Sequence, residues 1–346
     1  GDGRTSVRAS YAYGYNFVSL DWRRDASSSA PWGNRTTVIS PPGGLENPWQ
    51  GFPGGNPFPV NVNAGITFAP SANFISAPYD MKTPATSSWN LSVQRQVTAD
   101  WLASASYIGS QTSHTCTQNP INPATYIPGG PCTINGITYS PTCSTTSNTN
   151  QRRRFSIERP QDGQRMGPMA TFDDGGTQSY NGMLLSIQRR ASRGVTVNGN
   201  YTFSHCIGDY GDVNSMGPAA DETYTVPSNR DADRGNCNFD RRHVINLTAV
   251  AETPQFANPK LRILATGWRL SGIYRKSSGA PLSILAGSDR ALNGITLQRG
   301  NQILADPYLD KSGGPMTLWL NRAAFEIPAL GTYGNMGRNN IVGPGT

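Results

Sequence analysis

Leu91-Ser92-Val93-Gln94-Arg95-Gln96 is written a second time, 94 residues later, as Leu185-Ser186-Ile187-Gln188-Arg189-Arg190. Twelve residues past each arginine stands a tyrosine, Tyr107 and Tyr201. In both copies apolar and polar side chains alternate, the period-two pattern of a strand with one greasy face. A turn of three or four residues (Thr98-Ala99-Asp100; Ala191-Ser192-Arg193-Gly194) then leads into a second alternating segment. The repeated unit is a tight hairpin. The long segment between the copies is not repeated, so the architecture has a direction, with short turns at one end and long loops at the other.

The same alternation extends outward. The first strand sets Val7, Ala9, Tyr11, Tyr13, Tyr15 and Phe17 against Arg8, Ser10, Ala12, Gly14 and Asn16. The second, about 86 to 97, opposes Trp89, Leu91 and Val93 to Ser88, Asn90, Ser92, Gln94 and Gln96. The third carries Trp101, Ala103, Ala105 and Tyr107; the fourth Met183, Leu185 and Ile187; the fifth Val195, Val197, Tyr201 and Phe203. A sixth, about 241 to 252, shows Ile245, Leu247 and Ala249, and a seventh, about 268 to 276, shows Trp268, Leu270 and Tyr274. Pro281 to Ala286 continues or follows the seventh.

Long loops are expected at about 18–85, 109–178, 206–240 and 287–330, all on one side, with the 253–267 turn on the other. A soluble sandwich does not sort its loops in this way. Outer-membrane barrels do, with short periplasmic turns and long extracellular loops. The expected fold is therefore all-β: an antiparallel up-and-down β-barrel, partial at about eight strands, forming a single region over 1–346. Leu91, Val93, Leu185, Ile187, Ile245 and Leu247 are expected to face lipid. Trp89, Trp101, Tyr107, Tyr201, Trp268 and Tyr274 are the expected interface girdle. Arg95 and Arg189 share the apolar parity near the turns, where a long side chain reaches headgroups.

Composition agrees with a barrel of alternating strands. Hydrophobic residues make up 36% of the chain, and there are 38 Gly and 26 Pro. Mean hydropathy is −0.46. No run approaches the ~18 apolar residues of a membrane-spanning helix, but alternating strands average to neutral hydropathy. The net charge of +7 comes from 25 Arg and 4 Lys against 22 acidic residues. Arginine suits anionic headgroups through its bidentate fork. The Arg152-Arg153-Arg154 cluster lacks interleaved aromatics and is expected in a solvated loop, so nucleic acid is not an expected partner.

Five cysteines fall in expected loops without CxxC spacing, which argues against a ribbon-type zinc site. In an envelope protein such cysteines pair: Cys132 with Cys143, and Cys206 with Cys237, leaving Cys116 over. Residue type alone also allows a metal at His205, Cys206, Cys237 and His243. Catalytic motifs are missing: there is no G-x-S-x-G elbow, H-E-x-x-H or P-loop, and three histidines build few triads. No enzymatic activity is expected. Asp173-Asp174 reads as a solvated Gly-rich turn. Asp231, Asp233 and Asp240, with Asn236 and Asn238, have the oxygen density of a calcium loop without EF-hand spacing; no other cofactor is expected. Asn34-Arg35-Thr36 is read as a chance glycosylation triplet.

The motifs in order, SWNLSVQRQVTADWLASASYIGSQTSH, YNGMLLSIQRRASRGVTVNGNYTFSHC, FDRRHVINL, GWRLSGIYRKSSGAPLSI and WLNRAAFEIPALGTYGNMGRNNIVGPG, resemble the barrel of Oar-like TonB-dependent transporters over nearly the whole chain. The resemblance implies a bacterial outer-membrane barrel of about twenty-two strands, of which this chain supplies roughly eight. It also implies a regulatory-like domain, a plug and an energy-coupling box outside these residues, through which TonB would act. Such a receptor imports a bulky ligand, peptide or glycan, that the sequence does not name. The alternative is a barrel fragment that self-assembles through open strand edges into an extracellular filament or tube.

Overall fold

The computed structural model describes residues 3–16, 29, 33, 42–51, 55–56, 58–59, 63–66, 71–192, 194–209, 224–309 and 319–346. Phe17, the Asn34-Arg35-Thr36 triplet and Arg193 lie outside the described residues. The strands in order are β1 (Thr5–Tyr15), β2 (Ala72–Ser76), β3 (Ala85–Gln96), β4 (Trp101–Pro120), β5 (Cys132–Ile134), β6 (Ile137–Tyr139), β7 (Met166–Ser192), β8 (Val195–Gly208), β9 (Gly235–Asn236), β10 (His243–Glu252) and β11 (Arg269–Ser277). Four short strands follow: β12 (Pro281–Leu282), β13 (Asn301–Gln302), β14 (Phe325–Glu326) and β15 (Ile341–Val342). Short helices α1 (Arg154–Glu158), α2 (Pro160–Gly163) and α3 (Pro259–Ala265) lie in connections.

One nine-stranded sheet organises the molecule. Its main path runs β1-β3-β4-β7-β8-β10-β11, each pair antiparallel, so the long strands form a meander in chain order. The sheet is open: among the described residues, no strand lies beyond β1 or β11.

Directly opposed residues of antiparallel strands share a face, so the ladder can be read as rows across the sheet. One row is Val7, Val93, Ala105, Leu185, Tyr201 and Ile245, ending on Lys276 at the β11 edge. The next toward the loops is Ala9, Leu91, Tyr107, Met183 and Phe203, and the next toward the turns passes through Ala103, Ile187, Gly199, Leu247 and Tyr274. The opposite face carries Ser6, Gln94, Ser104, Ser186, Asn200, Asn246 and Arg275 in a single row. Polar pairs tie that face across strands, as where Ser106 donates to Ser92 at 2.8 Å. The apolar face is uncovered, with Leu91, Val93, Leu185, Ile187, Ile245 and Leu247 each between 38% and 50% exposed.

Local chemistry explains the short turns. The Thr98 hydroxyl accepts from the Trp101 amide at 3.2 Å, and Val97 N donates to Trp101 O at 2.9 Å, closing the β3–β4 turn. Gly194 adopts φ +74° between β7 and β8, and a Cβ there would lie 2.6 Å from the Glu252 carbonyl. The longer β10–β11 turn contains α3, started by Pro259 and capped by Asn258, whose side chain accepts from Lys260 N at 3.0 Å.

The structure corrects several boundaries. β4 spans 20 residues and β7 spans 27, so 109–120 and 166–178, expected in a loop, are mostly ladder-paired strand. Pro281–Leu282 leaves the main sheet and pairs with Ile341–Val342. The aromatic levels also differ from expectation. Trp101 and Trp268 stand at the turn side and Trp89 at the loop side, but Tyr107, Tyr201 and Tyr274 sit inside the apolar rows, because the register pairs them with Leu91, Leu185 and Leu247. Their level follows from the cross-strand register and not from the number of residues after each turn.

Replacing Gly194 with valine should cost at least about 1–2 kcal/mol, since a β-branched residue there takes a left-handed backbone. Denaturant unfolding of the variant measures the loss.

Candidate functional site

The packed interior among the described residues lies at the loop side, at the loop-side ends of β2, β4 and β7 and in the loops beyond them. One cluster joins Cys116 and Phe172 with Ile75 and Met81. Another joins Ala324, Phe325, Met336 and Ile341 with Leu282, Ile284, Tyr308 and Leu320. Both are small, and polar side chains hold much of the rest.

Two disulfides form, Cys132–Cys143 and Cys206–Cys237, with Cα separations of 5.2 and 5.4 Å. Cys206 lies in the polar-face row with Ser88, Ser110 and Tyr180, so its bridge draws the 224–240 loop over that face. The bridge also excludes a metal site at Cys206 and Cys237. Cys116 is a buried free thiol beside Met81 Sδ at 3.9 Å, and burial together with the nearby Asp174 and Asp173 charges pushes its pKa up.

Three arginine–aspartate pairs strap the same loop. Arg230 grips both Asp173 oxygens at 2.6 and 2.7 Å, and the Tyr224 hydroxyl donates to Asp173 at 2.5 Å. Arg234 meets Asp209 at 2.6 Å, and Arg299 meets Asp233 at 2.6 Å. Burial alone would raise the Asp173 carboxyl, but hydrogen bonds from Arg230, Tyr224 and the Gly175 amide outweigh it and hold the pKa below its ordinary value. Asp173 is thus a structural anchor, where a solvated turn was expected. Asp174 also serves the fold, its carboxylate accepting from Lys82 N.

Asp233 accepts from Thr225 and Arg299, while Asp240 accepts from the Cys206 amide at 2.9 Å and meets His205 at 3.3 Å. Among the described residues, Asp231, Asp233 and Asp240 do not gather into a group that could hold a metal. His114 sits at a β-bulge with φ +59°, and His243 meets the Tyr201 hydroxyl at 2.8 Å.

The arginine cluster is the largest departure from the sequence reading. Arg152 is fully buried, and its guanidinium donates to the carbonyls of Thr125 (2.6 Å), Leu292 (2.8 Å) and Thr145 (2.8 Å) and to Asn148 Oδ1 (2.8 Å). Arg153 is also buried, donating to Asn150 Oδ1 and the Asn122 carbonyl, each at 2.9 Å. Burial lowers both guanidinium pKa values, that of Arg153 to about 10. Only Arg154 is solvated, pairing with Glu158 at 2.9 Å. The sequence signal was the 25:4 ratio of arginine to lysine in a chain rich in Asn and Gly. A five-donor fork can collect the stray carbonyls of irregular loops, and an ammonium cannot do so as well.

β2 belongs to the β1–β3 connection, yet it pairs parallel with the loop-side end of β7, two strands beyond β3. It thereby folds its connection across the sheet. Between β2, β7 and the 293–295 turn lies a cavity of about 180 Å³ lined by Phe74, Ile75, Pro123, Met169, Ile295 and Arg153.

The sequence matches the family model described as "Outer membrane beta barrel domain" over residues 1–346. The chain belongs to the outer-membrane β-barrel domain family. No curated protein matches the sequence. Among solved structures, it is similar to the outer membrane transporter YddB from Escherichia coli at 11% identity and a TM-score of 0.39, over 80% of this chain and 32% of that one. The chain therefore spans about a third of the length of that structure.

Two outcomes follow from the loop assembly. Arg152→Met leaves three carbonyls without their donor, the Leu292 one buried and the other two part-buried, so the loops should become protease-sensitive at a cost of about 2–4 kcal/mol, with the strand circular dichroism unchanged. Because the Asp173 pKa is depressed on folding, its contribution is complete above the unfolded value of roughly 4 and is lost as pH falls through the folded one. Hydrogen exchange around 224–234 should accelerate in acid, and Asp173→Asn should remove that part of the transition.

Proposed function

We propose that this chain is part of the barrel of an Oar-like, TonB-dependent outer-membrane receptor whose intact form imports a bulky ligand. The observation that carries the reading is the two-faced sheet, uncovered on its apolar side and roofed by strapped loops at one end only. From the level of Val195 and Leu270 to that of Trp89 and His205 is ten residues along the strands. That is about 34 Å along a strand, or roughly 26 Å along the barrel axis at a strand tilt of about 40°. An apolar band of this height fits the hydrocarbon layer. Leu91, Val93, Leu185, Ile187, Ile245 and Leu247 face lipid in this reading, and Ser92, Gln94, Ser186 and Asn200 face the lumen.

Arg95 donates to Thr5 at 3.2 Å, and Arg189 lies over the Trp101 ring at 5.8 Å, both at the turn-side border where headgroups would meet them. The open edges at β1 and β11 require further strands, since unpaired backbone is not tolerated in hydrocarbon. In the parent receptor those strands, a plug and a TonB-coupling segment complete the transporter.

The same open edges favour a second reading, self-assembly through edge pairing into an extracellular filament. Electron microscopy of the purified chain in detergent decides between them: discrete particles favour the receptor, and extended tubes favour assembly.

Leu185 stands near the middle of the band. Leu185→Arg should destabilise folding into vesicles by roughly 2–4 kcal/mol, and Ser186→Arg by far less. The receptor reading is tested by recovering the full-length parent from outer-membrane fractions and crosslinking it to the TonB C-terminal domain. A parent confined to soluble fractions, or one that never crosslinks, contradicts it.

A further inference from the structure

The Arg153 guanidinium is a buried cation, and among the described residues it makes no direct ion pair. No carboxylate lies within ion-pair distance of it among the described residues, and its Nη2 has no hydrogen-bond acceptor there. The acidic side chain that acts on it electrostatically, Asp289, is occupied by the Asn293 and Gly294 amides and by Gln298 Nε2, at 3.2, 2.7 and 2.8 Å. Gly294 shapes the spot: it adopts φ +82°, and a Cβ there would lie 3.2 Å from Arg153 Nη2. The absence of a side chain at Gly294 gives the guanidinium its place in the cavity wall.

A buried, uncompensated charge is costly, and an anion that pairs with it recovers much of that cost. Most of the rest of the wall is apolar, with Phe74, Ile75, Pro123, Met169 and Ile295, and Asn73, Gln118, Asn122 and Asn293 add polar atoms to it. The volume of about 180 Å³ is close to that of an apolar cavity of about 150 Å³ that holds benzene.

We infer that this cavity is a binding subsite for a carboxylate carried on a compact apolar group, with Arg153 Nη2 as the donor to the carboxylate and the Ile75–Met169–Ile295 wall around the apolar body. The inference rests on the proposed receptor reading only for its biological use; the binding itself needs neither TonB nor transport. Two sources share this chemistry, a free aromatic or branched acid and the C-terminus of a peptide ending in an apolar residue.

Isothermal titration of the full chain in detergent, with benzoate and with benzamide as its neutral isostere, tests the site. A second arm compares a short peptide ending in valine with its C-terminal amide. Benzoate should bind at least tenfold more tightly than benzamide, or the free-acid peptide at least tenfold more tightly than its amide; whichever pair discriminates identifies the source. Arg153→Met should abolish the discrimination. Ile295→Trp, which fills the cavity and keeps the guanidinium, should abolish binding of both probes and serves if the Arg153 variant fails to fold. Equal binding of acid and neutral probe, no binding of any probe, or acid binding unchanged in Ile295→Trp overturns the inference. Failure of TonB crosslinking alongside acid-selective binding overturns the receptor reading and leaves the subsite standing.

Discussion

Backbone hydrogen bonding is the constraint on which the rest of this structure depends. In a hydrocarbon layer each N–H and C=O must be satisfied within the protein, and the seven-strand ladder does this for every internal strand. Once the register is set, the period of two sorts the side chains with no further choice: a one-residue slip would exchange the Leu185 row for the Ser186 row. The sheet therefore needs no conventional core. Its large apolar side chains are left uncovered on one face, and its serines and asparagines line the other.

The loops solve the opposite problem. They are long, irregular and rich in Gly and Pro, so they contribute many carbonyls and little apolar surface to bury. Arginine meets the need: Arg152 collects three carbonyls from separate segments, and Arg230, Arg234 and Arg299 each bind an aspartate from another part of the chain. The Cys206–Cys237 bridge and the parallel β2–β7 pairing fix where this assembly sits relative to the sheet. A roof built from polar straps around small apolar clusters holds a cavity at the mouth of the sheet.

The sheet was readable from sequence because alternation is a local signal. Leu91, Val93, Leu185 and Ile187 fall on one face in the ladder as their spacing requires, and both disulfide pairs follow from loop proximity. The limits of β4 and β7 were hidden because Gly109–Pro120 and Met166–Gln178 lose the clean alternation once the strands rise past the apolar rows. The levels of Tyr107, Tyr201 and Tyr274 were hidden because level depends on cross-strand register, a non-local quantity. Arg152, Arg153 and Asp173 were invisible for a related reason. Their partners lie as far as 140 residues away in the chain, and nothing in a short window separates a buried fork from a solvated one.

The most direct test of the account is a spin-label scan along β7 from Met183 to Gln188 in the parent receptor embedded in lipid vesicles. Labels at 183, 185 and 187 should relax with lipid-soluble oxygen, and labels at 184, 186 and 188 with a water-soluble nickel chelate, alternating residue by residue. Uniform accessibility along the strand, or alternation in the opposite phase, would contradict the assignment of the two faces on which the account rests.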